Sequence, residues 1–588
     1  MANIMSLKSL RNKTSRNGFD LSSKRNFTAK AGELLPVKTW EVLPGDTFKI
    51  DLKSFTRTQP LNTAAFARMR EYYDFYFVPY DLLWNKANTC LTQMYDNPQH
   101  ALDSSPLKVV KLDGSMPYTT LASISLYLNA LAPDSVTVTN KNNYFGYNRA
   151  LCSAKLLEYL GYGNLYTFAE SADHTFLKTP LKQSLDVSLF NLLAYQKIYA
   201  DYYRDSQWER VSPSCFNVDY MPYSTGSSGM MLSMNYSDFY ENYSMFDLRY
   251  CNWQKDLFHG VVPNQQYGDV ASVSMSSPLT ALSVPATTQT TIDTSATASS
   301  LRFPFGSSIP SGTPLLTNSS FSILALRQAE FLQKWKEITQ SGNKDYKEQV
   351  EKHWNVSPGD GFSEMCTYLG GISSSLDINE VVNNNITGDN AADIAGKGTG
   401  VSNGVINFNS QGRYGVVMCI YHCLPLIDYT TDFVSPSVTR INATDFALPE
   451  FDRVGMQTVP LSYISNGPLT VLGSIPDLVG YAPRYIDYKT DIDTSIGAFK
   501  TSLKNWVISY DNQSLANQFG FSVGDPELPV PNPANSNWNY TLFKVNPNSL
   551  NPLFAVEVDS SIDTDQFLCS TFFDVKVVRN LDTDGLPY

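Results

Sequence analysis

Length, composition and charge set the first limits. A chain of 588 residues, 43% of them hydrophobic, can bury a large core, and length alone would suggest about three or four domains. A net charge of −12 excludes nucleic-acid binding by bulk electrostatics, the eight cysteines are too sparse for a disulfide scaffold, and no run approaches the ~20 apolar residues of a membrane span.

The charge is unevenly spread. Residues 1–33 read as a basic N-terminal arm: over residues 1–30 Lys8, Arg11, Lys13, Arg16, Lys24, Arg25 and Lys30 face only Asp20, a local +6 that leaves −18 for the remainder. The arm is poor in large apolar groups and is not expected to order by itself. It also lacks the apolar stretch of a secretory signal, so folding in the cytoplasm with reduced, buried thiols is expected. From residue 34 the pattern turns to β. Phe48, Ile50 and Leu52 alternate with Thr47, Lys49 and Asp51, as in a half-buried strand, and Pro44-Gly45-Asp46 supplies the turn before them. The run REYYDFYFVPYDLLW is aromatic at almost every position and should be covered on both faces.

Between residues 85 and 163 the best local helix is LASISLYLNALAP. A clearer helix spans 186–205, where Leu189, Leu192, Leu193, Tyr195, Tyr199 and Tyr202 recur mostly three or four apart, a stripe that should meet the β-core. Residues 224–318 read as a long surface insertion, Ser/Thr/Ala-rich over 272–300 and pinned partway by LRYCNWQKDLFHGVVP. The strongest helix is FSILALRQAEFLQKWKEITQ, with Leu324, Leu326, Phe331, Leu332, Trp335 and Ile338 on its apolar flank and Ser319, Ser320 or Ser322 as its cap. A short helix follows over 345–354. Residues 373–412 are Asn/Gly-rich and read as a second, smaller surface excursion.

The C-terminal third returns to β. RYGVVMCIYHCLPLIDY should be a strand buried on both faces, and LFAVEVDS and TFFDVKVVRN alternate, the latter with Phe573, Val575 and Val577 inward. Strands near both termini, with helices and loops between, predict a mainly β fold: an eight-stranded antiparallel jelly roll over 34–588 with long helix- and loop-containing insertions.

No reaction chemistry stands out. None of the five histidines sits in a nucleophile or metalloprotease motif, and no phosphate-cradling glycine loop occurs. In Cys419-Ile420-Tyr421-His422-Cys423, strand geometry puts His422 opposite the two thiols, so buried core thiols are favoured over a zinc site. Asp582-Thr583-Asp584-Gly585 has the start of a calcium loop without its downstream glutamate. No catalytic residue, metal or cofactor is expected. Two elements are candidates for function. Arg11, Lys13, Arg16, Lys24 and Arg25, interleaved with Asn, Ser and Phe, suit phosphate contact without base readout, with Phe19 and Phe27 available to stack on bases; a solvated tail is the alternative. Tyr223, Tyr236, Tyr240 and Tyr243 in the insertion are amphipathic groups suited to a binding surface, against a spacer without a partner.

Four blocks then carry a resemblance. EVLPGDTFKIDLKSFTRTQPL with EYYDFYFVPYDLLWNKA, NLLAYQKIYADYYRDSQWE, LRYCNWQKDLFHGVVPNQQYGDV, and LRQAEFLQKWKEI with TYLGGISSSLDINEV resemble, in order, the major capsid proteins of microviruses of the gokushovirus-like branch, small icosahedral single-stranded-DNA bacteriophages. The resemblance implies a structural, non-enzymatic subunit that assembles with itself into a T=1 icosahedral shell around single-stranded DNA. It implies as further partners a small internal DNA-binding protein, other phage structural proteins and a host cell-surface receptor met by the 224–318 insertion. Synthesis in a bacterial cytoplasm and residence in the virion follow from it. The competing reading is a secreted or cell-surface carbohydrate-binding or carbohydrate-cleaving β-sandwich, suggested by the abundance of Tyr and Trp in an acidic, loop-rich chain.

Overall fold

Alternation in the sequence becomes one antiparallel sheet in the computed structural model. It describes residues 15–92, 116–125, 149–164, 185–209, 212–221, 223–226, 229–232, 245–265, 291–293, 300–302, 323–343, 345–382, 394–452, 455–467, 478–512, 514–515, 543–555 and 565–583. The strands are β1 (Asn17–Asp20), β2 (Ser23–Ala29), β3 (Leu35–Val42), β4 (Thr47–Thr58), β5 (Met69–Pro79), β6 (Thr367–Val382), β7 (Ile394–Asn409), β8 (Gly415–Pro425) and β9 (Phe567–Arg579). β1 and β2 both pair with β9, opposite its two ends, and so fill one strand position. The order across the sheet is β1/β2–β9–β4–β7–β6–β5–β8–β3. Counted along the chain, those eight positions read 1-8-3-6-5-4-7-2. This is a jelly roll: two four-stranded halves joined by the β6–β7 hairpin, with every inter-strand connection antiparallel.

The inner phase of each strand builds the core. Phe48, Ile50 and Leu52 of β4 and Phe573, Val575 and Val577 of β9 are buried, and Ile50 stands directly opposite Val575. Rings from the two halves meet inside: Trp40 of β3 against Phe573 at 5.4 Å, Phe27 of β2 against Tyr421 of β8 at 5.1 Å, and Phe77 of β5 against Phe408 of β7 at 4.7 Å. β8 is buried along nearly its whole length, as the two-sided apolar run predicts.

The turn before β4 forms as expected. Gly45 takes φ +87°, open to glycine at no steric cost, and Leu43 donates its N–H to Asp46 Oδ2 at 2.9 Å. Helix α1 (Arg149–Tyr159) packs near β3. Helix α2 (Phe190–Ile198), continued as a π-turn over Tyr199–Tyr203, buries Leu192, Leu193, Tyr195 and Tyr199 against the sheet as read from the sequence. Tyr195 Oη donates to Leu34 O at 2.9 Å and accepts from Arg249 N–H at 2.8 Å, so the helix is also hydrogen-bonded to the β-core. Residues 121–125 are helical; the rest of that expected helix lies outside the described residues.

Four expectations need correction. Residues 17–29 are not part of a free arm: β1 and β2 are the jelly roll's first strand, hydrogen-bonded to a partner more than 500 residues away. Residues 373–412 are not an excursion either. They hold much of β6 and all of β7, sixteen residues each, in the middle of the sheet. Their glycines answer to close packing: a Cβ on Gly398, Gly400 or Gly404 would stand 2.5–2.7 Å from Thr58, Leu376 or Ile372. LFAVEVDS gives no strand over its described part, since Pro547–Leu553 is a 3₁₀ helix and Phe554 makes one isolated bridge to Leu61. Finally, residues up to 265 and from 364 onward form one compact unit and 266–363 another, so the separate unit begins and ends later than the expected 224–318 insertion. Within that second unit, helices α3 (Ile323–Gln340) and α4 (Tyr346–Trp354) pack through Trp335 against His353, and the expected capping serines lie outside the described residues.

Candidate nucleic-acid interface

The five expected phosphate contacts separate into three kinds. Arg11 and Lys13 lie outside the described residues. Arg16 donates to Gly45 O at 2.7 Å and to Thr47 Oγ1 at 3.1 Å, fastening the chain to the turn before β4. Arg25 donates to Tyr159 O at 2.9 Å and covers the Tyr159 ring at 5.7 Å, clamping β2 to α1. Burial lowers the Arg25 pKa, yet a guanidinium stays charged in any case. Lys24 is exposed and makes no ion pair with another described residue. Phe27 is buried between Tyr421 and Tyr159 and Phe19 is partly buried against the core, so neither is presented for stacking on bases. Tyr223 opens a short strand (Tyr223–Gly226), while Tyr236, Tyr240 and Tyr243 lie outside the described residues.

The polar groups inside the body knit its parts together. Glu71 on β5 is fully buried and accepts hydrogen bonds from Thr56 at 2.6 Å, Ser402 at 2.6 Å and Ser374 at 2.8 Å, so one carboxyl joins strands of both halves. Ser54, Tyr73 and Thr571 close a second hydroxyl cluster across the interior. Lys155 on α1 reaches Glu33 at 2.7 Å and Asp565 at 3.1 Å. Burial alone would lower the Lys155 pKa, but Asp565 and Glu33 outweigh it and hold the ammonium charged well above its ordinary range. Tyr429 donates to Asp256 at 2.7 Å, beside His259. Burial opposes the Asp256 charge, and His259 with its hydrogen bonds prevails, holding that carboxyl at about 2.

The CIYHC strand is core. Cys419 and Cys423 are buried and not in disulfides, as are five of the other six cysteines, with Cys152 half-buried and likewise not in a disulfide; burial pushes the Cys569 thiol up to about 12. His422 is buried against Tyr72 with its ring stacked at 4.9 Å, and burial pushes its pKa down to about 3. It is therefore neutral near pH 7, and its 3.8 Å approach to Asp74 is not an ion pair. Among the described residues no three His, Cys, Asp or Glu side chains converge to hold a metal ion, and no helix is long and apolar enough to cross a membrane.

The reading by charge missed the outward phase of the sheet. On β4 it presents Lys49, Lys53, Phe55 and Arg57, on β9 Leu568, Phe572 and Lys576, and on β2 Lys24. The signal was present in the alternation of DLKSFTRT and FLCSTFFDVK, where buried residues alternate with exposed or half-buried ones.

A mainly β jelly roll held together by buried polar bridges defines the fold class. The chain belongs to the family described as capsid protein (F protein), whose model matches residues 8–148 and 164–588. It is 23% identical, over 602 aligned residues covering 97% of this chain and 95% of the relative, to the capsid protein VP1 of Chlamydia phage 1. It is a microvirus major capsid protein and hence a component of the virion.

Proposed function

We propose that this chain assembles with itself into a T=1 icosahedral shell that encloses a single-stranded DNA genome. The observation that carries the reading is the complete jelly roll, its first and last strands paired as β2 and β9, in a chain matched to the capsid family nearly end to end. The segment before β1, with Lys8, Arg11 and Lys13 and no carboxylate, faces inward and contacts phosphates. The 224–318 region faces outward and meets a host receptor through Tyr223, Tyr236, Tyr240 and Tyr243, three copies summing their contacts around a threefold axis. A small internal DNA-binding protein and other phage structural proteins complete the particle, which is put together in the bacterial cytoplasm.

Two experiments test this. Nucleic acid extracted from nuclease-treated particles should be digested by a single-strand-specific nuclease; duplex DNA, or none, would refute the enclosure. Deleting Val270–Ser300 should leave shells that assemble and fail to adsorb. Normal adsorption would remove the receptor role, and failure to assemble would make the segment structural.

A further inference from the structure

We propose that the outward face of β2, β9, β4 and β7 is a platform for single-stranded nucleic acid, with Phe55 and Phe572 stacking on bases and Lys24, Lys53 and Arg57 taking the flanking phosphates. The proposal rests on the reading of the shell as an enclosure for single-stranded DNA and names the surface that would hold the strand.

Strand register sets out the surface. One row across the sheet reads Lys24, Phe572, Lys53, Asn403; the next Asn26, Ser570, Phe55, Val401; the third Thr28, Leu568, Arg57, Thr399. Phe572 and Phe55 are thus diagonal neighbours on adjacent strands, roughly 7–8 Å apart by sheet geometry. Phe572 has a lysine on each side in its own row. Phe55 has Arg57 beside it, the guanidinium 4.9 Å from the ring centre. Neither ring is used by the core: Phe55 is 39% and Phe572 42% exposed, with Leu568 at 42% on the same face.

Large exposed rings on a regular sheet surface call for a partner, and the charges say which. Lys24 and Arg57 form no ion pair with any described residue, and Lys53 has only Asp51 at 4.0 Å. The carboxylates of this face, Asp51 and Asp574, pair in the row next to Phe572 and Lys53, on the side away from Phe55 and Arg57, with Asp20 one row further; Lys576 engages Asp20 and Asp574 there. A protein surface covering the three rows would have to bring an acid for each bared cation. A single-stranded polynucleotide brings one negative charge and one flat apolar ring per residue, in alternation. A duplex hides its ring faces and fits less well. β1, which follows the basic segment in sequence, stands at the edge of this same sheet.

The test has two arms. Purified particles are irradiated with ultraviolet light and digested, and DNA-linked peptides are mapped by mass spectrometry; adducts should centre on Phe55 and Phe572. Adducts confined to other peptides in DNA-containing particles would overturn the proposal. In the second arm, full-length protein binds a fluorescent oligothymidine across a salt series. Phe55→Ser and Phe572→Ser should each weaken binding about tenfold at unchanged salt slope. Lys24→Gln and Arg57→Gln should each reduce the slope by about 0.7. Unchanged affinity in all four variants would overturn the platform, and if the same variants blocked shell assembly the face would be a contact between copies. Particles empty of nucleic acid would count against the enclosure itself, leaving the oligothymidine arm to decide the platform alone.

Discussion

Ile50 and Val575 face each other across β4 and β9, 525 residues apart in sequence, and the junction of the chain's two ends runs through that pair. Both side chains are buried, at 1% and 0% exposure. Ile50→Ala removes three carbons from a buried site between Val575 and Ile406 on the flanking strands, and it should cost about 3–4 kcal/mol. Val575→Ala removes two methyl groups, about 1.6 kcal/mol of transfer energy plus a cavity contribution, and should cost about 2–3 kcal/mol. Because the two voids would merge, the double variant should fall short of the sum by roughly 0.5–1 kcal/mol. Lys49→Gln, one residue along β4 on the exposed phase, should stay within about 0.5 kcal/mol. Urea unfolding of dissociated subunits, followed by tryptophan fluorescence, measures all four. Losses below about 1 kcal/mol at both core positions, or a Lys49→Gln loss as large as theirs, would refute the register.

Other positions give independent checks. Gly32 holds φ +78°, and a Cβ there would stand 2.5 Å from Val545 Cβ, while its own N–H and C=O bond Cys423 and Cys251; Gly32→Ala should abolish soluble subunit, as read by yield after centrifugation. Lys155→Met leaves Glu33 and Asp565 buried without their cation, which should cost about 3–5 kcal/mol at pH 7. That loss should shrink as the pH is lowered and the carboxyls take up protons, whereas a loss independent of pH would show that packing dominates. His422 remains neutral in the folded state down to about pH 3 and takes a proton in the unfolded state near 6.5. The unfolded state therefore binds more protons between those values, and folded stability should fall by up to about 1.4 kcal/mol per pH unit as the pH drops through that window. His422→Gln should flatten that part of the pH profile, and an unchanged profile would place the acid sensitivity elsewhere.

What the sequence disclosed followed from the side-chain period. β4, β5, β8 and β9 were legible because their inward residues are large and apolar: Phe48, Ile50 and Leu52, or the unbroken GVVMCIYHC. β6 and β7 were not. Their inward phase is carried by Leu376, Ser402 and Gly398, Gly400 and Gly404, which yield space to side chains from β4 and β6, and glycine spaced two apart looks like turn composition. β1 and β2 were hidden by their charge. Lys24 and Arg25 drew attention away from Phe27 and Ala29, and the partner that completes the strand is at the far end of the chain. The candidate site suffered from the same habit. Counting cations found Arg16 and Arg25, which the fold uses as clamps, and passed over Phe55 and Arg57, which it leaves exposed.

Negative-stain electron microscopy of the purified full-length protein tests the central claim most directly. If the jelly roll is a shell subunit, the grids should show uniform, closed, icosahedral particles tens of nanometres across, built from this chain. A field of small separate molecules at every concentration and salt tried, with no closed particle, would contradict it.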